Sequence, residues 1–132
     1  MKYLAPYAVT LALFVAIDLV WLMWLARPTY VAEMGSLLRK EPHLAAAIAF
    51  YLLYATGLVI FAVSPGLKAD SVMHAMVMGA CLGLVAYGTY DLTNLAVLNG
   101  YSARIALIDM AWGAALSAAT AAIAVAICRK LI

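Results

Sequence analysis

Charged side chains are scarce in this sequence. Its 132 residues include eight Lys or Arg and six Asp or Glu, a charged share of 11%, and the basic residues are scattered rather than clustered. A nucleic-acid surface needs basic residues gathered on one face. We therefore expect no nucleic-acid partner.

Cysteine and metal-binding motifs are also scarce. The two cysteines, Cys81 and Cys128, form no CxxC pair or other metal-ligand spacing. The DxxxD and DxxD clusters typical of metal-dependent prenyl and phospholipid transferases do not occur in the sequence. The sequence accordingly predicts neither a metal ion nor a cofactor.

Apolar residues are in large excess. They make up 69% of the chain and give a mean hydropathy of +1.06, so lipid is the expected surrounding of most of it. Since about 20 residues cross the hydrocarbon core, the chain has room for four spans. We predict an all-α fold, a polytopic four-transmembrane-helix bundle forming a single transmembrane domain over residues 1–132. The predicted spans cover about 3–25, 44–63, 72–98 and 105–127.

The first two spans and their connection carry further local signals. The first apolar run holds Asp18 and lacks the small residue of a signal-peptide cleavage site, so we interpret it as an uncleaved span. The motif Ser64-Pro65-Gly66 predicts that span two ends in a turn there. Between spans one and two, apolar residues recur at helical spacing over about 28–40, which predicts a short interfacial amphipathic helix. An irregular loop is the alternative, because Gly35 lies in its middle.

Polar residues of all four spans fall at one depth. Because consecutive spans alternate in direction, Asp18, Asp91 and Asp109 each lie about 7–11 Å inside the same side of the membrane. Tyr51 and Tyr54 of span two reach the same layer. A carboxylate at membrane depth costs about 2.5–3.5 kcal/mol, so such groups usually face a bundle interior or a wet cavity.

Helical phase predicts that these side chains converge on one pocket. On span three a single stripe carries Gly79, Gly83, Tyr87, Asp91 and Asn94, small residues that allow close helix approach beside polar ones that need partners. The glycine stripe and the Ala-rich face of span four could also pack against a second copy, giving a homodimer. The expected ligand-binding residues are Asp18, Trp21, Tyr51, Tyr54, Tyr87, Tyr90, Asp91, Asn94, Asp109 and Trp112.

Four segments resemble one known family. They are Tyr90-Asp-Leu-Thr-Asn-Leu95, Ile108-Asp-Met-Ala-Trp-Gly113, Phe50-Tyr-Leu-Leu-Tyr-Ala-x-Gly57 and Ala16-Ile-Asp-Leu19. The chain resembles, over nearly its whole length, the bacterial membrane-protein family called domain of unknown function 2177 (DUF2177). The resemblance implies a four-span protein of the bacterial inner membrane and brings no established activity.

Three functional hypotheses stay open at this point. The pocket could bind or transport a small cationic or lipid-like ligand with proton coupling, using aromatic faces for cation–π contact. It could instead hold a lipid- or isoprenoid-modifying enzyme with Asp91 or Asp109 as general acid or base. In the third hypothesis the polar layer is structural and the protein is an accessory subunit. Four Lys or Arg lie on each side of the membrane, and the acids tip our expectation toward cytoplasmic termini.

Overall fold

The chain folds into helices that are long and apolar enough to cross a membrane. The computed structural model describes residues 3–26, 28, 32 and 43–131, and within these it contains four such helices and no strand. The predicted all-α four-helix architecture is confirmed. The α-helical bounds are Leu4–Val20 for α1, Leu44–Leu58 for the first part of α2, Val72–Val97 for α3 and Ala103–Leu131 for α4.

Two helices contain π-helical turns. The helix α1 continues as a π-helix over Trp21–Ala26, and α2 continues as a π-helix over Val59–Val63 and then as a short α-helix over Ser64–Lys68. The predicted turn at Ser64-Pro65-Gly66 is therefore wrong. Pro65 lies within a helix that continues through it, directly after the π-helical segment, and its ring fixes a helical φ although it supplies no N–H.

The turn between α2 and α3 comes later than predicted, at Ala69–Ser71. Asp70 adopts a positive φ of 51°, and its carboxylate lies 2.9 Å from Nε of Arg129 at the end of α4. Polar side chains begin the following helices: the Ser71 hydroxyl accepts from the N–H of His74, and the Ser102 hydroxyl accepts from the N–H of Ile105. At the start of α2, Nδ1 of His43 accepts from the N–H of Ala46.

Helices α3 and α4 pack along a seam of small residues. A Cβ added at Gly83 would lie 2.2 Å from the carbonyl oxygen of Gly113, and one added at Gly79 would lie 2.6 Å from that of Ser117. Only glycine permits this approach of the two backbones. The glycine face that we expected to be able to meet a second copy is thus covered by α4 of the same chain.

Helix α2 is held unevenly. Its last turns, Val59–Val63 and Ser64–Lys68, pack against α3, whereas Leu44–Leu58 packs mainly against α1. One apolar cluster joins Phe14, Leu58 and Leu116 in the middle of the bundle. Another fills the end near the α2–α3 turn and consists of Ala62, Val63, Ala75, Ala121, Ala124 and Val125. The first half of α2 and the second half of α3 therefore diverge from one another.

The predicted interfacial helix over about 28–40 lies outside the described residues except for Pro28 and Ala32. On span three the predicted stripe of small and polar residues faces the bundle interior, and buried residues mark the inward faces of α1 and α4. Phe14 and Asp18 are buried on α1, Gly79, Gly83 and Asp91 on α3, and Gly113, Leu116, Ser117 and Thr120 on α4.

Candidate functional site

All four helices line one cavity in the half of the bundle where α2 and α3 diverge. Its volume is about 340 Å³. The lining consists of Asp18, Trp21, Leu22, Phe50, Tyr54, Ala86, Tyr87, Tyr90, Asp109 and Trp112. Among the described residues of this lining, two side chains are carboxylates, six are aromatic and none is basic. The cavity is therefore an aromatic chamber with an acidic character.

Asp18 is fixed in place by donors from two other helices. Its Oδ2 accepts a hydrogen bond of 2.9 Å from the Tyr51 hydroxyl of α2, and its Oδ1 accepts one of 3.1 Å from Nε1 of Trp112 of α4. Asp18 is only 7% exposed. Hydrogen bonds from neutral donors stabilise a buried carboxylate and also set its direction. Both oxygens of Asp18 are thereby tied to neighbouring helices at the cavity wall.

Two tryptophans form a flat surface beside Asp18. The rings of Trp21 and Trp112 stack with centroids 4.2 Å apart and planes 7° from parallel. Trp112 is oriented by its bond to Asp18, while Nε1 of Trp21 is buried without a hydrogen-bond partner in the described structure. A buried N–H of this kind is a donor available to a cavity ligand or water.

Tyrosines of α2 and α3 form the opposite part of the wall. The Tyr54 hydroxyl and the Ser117 hydroxyl are 2.8 Å apart, and the Tyr54 ring meets that of Tyr87 edge to face at 5.8 Å. The Tyr87 ring fits where Gly113 has no side chain, since a Cβ there would lie 2.2 Å from Cγ of the ring. Glycine at position 113 therefore shapes the cavity as well as the helix seam.

Asp109 supplies the second carboxylate of the lining. It is half-buried on α4, one turn before Trp112. Asp18 and Asp109 both interact electrostatically with the Tyr87 hydroxyl, and all three side chains line the cavity. The described lining thus offers two carboxyl groups, from α1 and α4, to a cavity ligand.

The cavity has an opening between α2 and α3. Phe50 of α2 and Tyr90 of α3 belong to its lining and are nevertheless 41% and 58% exposed. They lie in the halves of these helices that diverge, at the depth of the apolar spans. Within the described part of the chain, the chamber is thus accessible sideways, from the position of the lipid tails.

Asp91 and Asn94 do not belong to the cavity lining. Asp91 is fully buried, and its Oδ1 accepts a 2.8 Å hydrogen bond from the hydroxyl of Tyr101 in the α3–α4 turn. Its Oδ2 is buried without a partner among the described residues, and Asn94 interacts with the same Tyr101 hydroxyl. Burial, and next the bond to Asp91, raise the pKa of the Tyr101 hydroxyl above its ordinary value. Asp91, one of the two catalytic candidates, therefore sits next to the chamber rather than in it.

The structure thus divides the expected ligand-binding residues into two groups. Seven of them line the cavity: Asp18, Trp21, Tyr54, Tyr87, Tyr90, Asp109 and Trp112. Tyr51 lies behind the wall and holds Asp18, whereas Asp91 bonds Tyr101 and Asn94 interacts with it. The Tyr90 and Tyr101 rings meet edge to face at 6.4 Å, so Tyr101, the partner of Asp91, contacts the cavity lining.

Sequence reasoning missed four residues of this region. Leu22, Phe50 and Ala86 are apolar lining residues that look like any other lipid-facing position. Tyr101 follows Gly100, whose φ of 78° marks a turn, and we interpreted its segment only as a connection. The one available signal was an aromatic hydroxyl ten residues after Asp91, close enough to fold back over the end of α3.

Comparison with known proteins gives a family and no activity. Residues 3–126 match the family described as "Predicted membrane protein (DUF2177)", which is nearly the whole chain. No curated protein and no solved structure matches the chain. Its fold, its four apolar helices and this match agree with one another. The chain is a member of the DUF2177 family of membrane proteins.

Proposed function

We propose that the cavity binds a small organic cation, or the cationic head of a lipid-like molecule, in exchange for a proton. The observation that supports this most directly is the pairing of Asp18 and Asp109 with six aromatic rings in one chamber of about 340 Å³. Aromatic faces attract cations, and this attraction is strongest where water is excluded. A cavity of this volume falls within the range of small-molecule sites.

The two carboxylates have different roles in this proposal. Asp18 is held at both oxygens by Tyr51 and Trp112, so it provides a fixed partner for positive charge. Asp109 is less buried and is the group that exchanges its proton. A cation that binds beside these carboxyl groups competes with a proton held on one of them, so uptake of one releases the other.

The opening between α2 and α3 supports a ligand that reaches the chamber from the bilayer. An apolar tail on such a ligand would leave through the gap beside Phe50 and Tyr90. The functional group that the site recognises is then an amine or a quaternary ammonium, and the tail sets its concentration in the membrane.

Binding and proton release test the proposal together. The purified chain in neutral nanodiscs is titrated with tetraethylammonium in weak buffer, following tryptophan fluorescence and the pH. We expect saturable binding with release of up to one proton per cation, and at least tenfold weaker binding in Asp109→Asn. Asp70→Asn is the control, because Asp70 lies at the other end of the bundle, paired with Arg129. Binding that is equal in Asp109→Asn and Asp70→Asn would contradict the proposal.

A structural role for the polar layer makes a different prediction. The two bonds to Asp18 join α1 to α2 and to α4, as expected of a side chain that holds the bundle together. In that case Asp18→Asn lowers stability, and wild-type nanodiscs bind no tetraethylammonium at any pH.

The protein is a multi-pass membrane protein, and we also propose which membrane it occupies and how it is oriented. We place it in the bacterial inner membrane with both termini in the cytoplasm, following the family resemblance and the slight charge difference between the two sides. A reporter enzyme fused after Ile132 tests this orientation. Reporter activity in the periplasm alone would show that the C-terminus lies there and would contradict the proposed orientation. A homodimer stays a prediction, and cross-linking in native membranes tests it.

A further inference from the structure

A second cavity lies between α1 and α2, at the end of the bundle where α1 begins. Its volume is about 360 Å³. The lining residues are Tyr3, Tyr7, Thr56, Val59, Ile60, Ser64 and Lys68. Within residues 3–26 and 43–131, this lining contains a base and no acid, the reverse of the first chamber. We propose that this cavity is a binding site for one anionic phospholipid.

This cavity has a polar, basic end and an apolar end, as a phospholipid has a charged headgroup and an apolar tail. Lys68 lies in the last turn of α2 and is exposed, with no ion pair within residues 3–26 and 43–131. Arg129, at the same end of the bundle, is paired with Asp70. Among the described lining residues, Lys68 is therefore the cation available to a phosphate at the mouth of the cavity, where Ser64 adds a hydroxyl donor.

The deep end of the cavity is apolar in effect, although it contains two hydroxyl groups. The Tyr7 hydroxyl donates to the carbonyl oxygen of Leu52 at 3.0 Å, and the Thr56 hydroxyl donates to the same oxygen at 2.8 Å. Both protons are thus used inside the protein. Ile60, which is 56% exposed, and Val59 provide the remaining surface for a hydrocarbon chain.

The dimensions also fit a single chain. From Lys68 to Thr56 the wall follows α2 for up to about 18 Å at 1.5 Å per residue. A headgroup held at Lys68 thus leaves the length of this wall for an acyl chain, in a cavity of about 360 Å³. The wide π-helical turn Val59–Val63 borders this groove, and π-turns recur at functional sites.

Lipid retention measured by native mass spectrometry tests the proposal. The full chain in a non-ionic detergent is titrated with dioleoyl phosphatidylglycerol or dioleoyl phosphatidylcholine. We expect one phosphatidylglycerol to be retained in preference to phosphatidylcholine, and Lys68→Gln to weaken that retention about fivefold, as loss of one lysine near an anionic headgroup predicts. Ile60→Trp, which fills the groove and keeps the charge, should reduce retention of both lipids.

Lys130→Gln is the matched control, since Lys130 lies in the last turn of α4 and outside the cavity. Equal loss in Lys68→Gln and Lys130→Gln would overturn the proposal, because general surface charge would explain it. Displacement by glycerol 3-phosphate at comparable concentration would also overturn it, since the ligand would then be a soluble phosphate. The result is independent of cation binding, because no lining residue is shared by the two cavities.

Discussion

The glycine seam between α3 and α4 gives the sharpest stability prediction. A Cβ at position 83 would lie 2.2 Å from the carbonyl oxygen of Gly113, whereas an ordinary carbon–oxygen contact is about 3.3–3.6 Å. Gly83→Ala therefore forces the helices apart by about 1.1–1.4 Å at this point. A gap of this size forfeits a large part of the dispersion energy along the seam. We expect a loss of about 2–3 kcal/mol, the upper part of the range for overpacked sites.

Two further glycines allow the stability losses of three glycine-to-alanine variants to be ranked. A Cβ at Gly79 would lie 2.6 Å from the Ser117 carbonyl oxygen, so Gly79→Ala should cost less than Gly83→Ala. At Gly57 no atom lies within 4 Å, so Gly57→Ala should leave stability unchanged or raise it by up to about 1 kcal/mol through helix propensity. Reversible unfolding of the three variants in mixed SDS micelles, followed by circular dichroism, measures the order. Equal stability of Gly83→Ala and Gly57→Ala would refute the close packing of α3 against α4.

Two other predictions concern single hydrogen bonds. Tyr51→Phe removes one hydrogen-bond donor from Asp18. The free energy of unfolding in the same SDS titration should fall by about 0.6–1.7 kcal/mol, the range for such bonds in membranes. No change would mean that the bond contributes nothing to stability. Because the folded pKa of Tyr101 is raised above its unfolded value of about 10, its contribution to stability is complete below that pH and is lost as the pH rises through the folded pKa. The tyrosinate absorbance that is present in wild type and lost in Tyr101→Phe should have a midpoint above the pH at which an ordinary tyrosine titrates. In Asp91→Asn this midpoint should move to lower pH. A wild-type midpoint at or below the pH of an ordinary tyrosine would contradict the prediction.

Much of this architecture follows from the periodicity of the sequence. Each span has one face of small or polar residues, and a lipid-surrounded helix must turn that face inward, so burial of Asp18, Gly83 and Ser117 could be anticipated. The end of α2 could not be predicted in this way, because the sequence around a proline can be the same in a helical segment and in a loop.

The relative placement of the aspartates was beyond sequence reasoning. Asp18 and Asp91 lie at similar depth and on inward faces, yet only Asp18 reaches the cavity. The difference arises from the short α3–α4 turn, which brings Tyr101 over the end of α3 and takes up Asp91. Depth along a helix can be counted from the sequence, whereas the partner that a turn delivers depends on its backbone path.

The bonds of Asp18 also set the order of events during assembly. Its two donors are encoded 33 and 94 residues later, at Tyr51 and Trp112. At a synthesis rate of about 5–20 residues per second, Trp112 follows Asp18 by roughly 5–20 s. During that interval the first span carries a carboxylate whose cost at membrane depth, about 2.5–3.5 kcal/mol, is only partly offset. The first span, with a mean hydropathy of 2.0, inserts through its apolar residues, but Asp18 lacks its Trp112 donor until the fourth span has been made. A chain arrested before Trp112 should therefore be the form that membrane proteases remove.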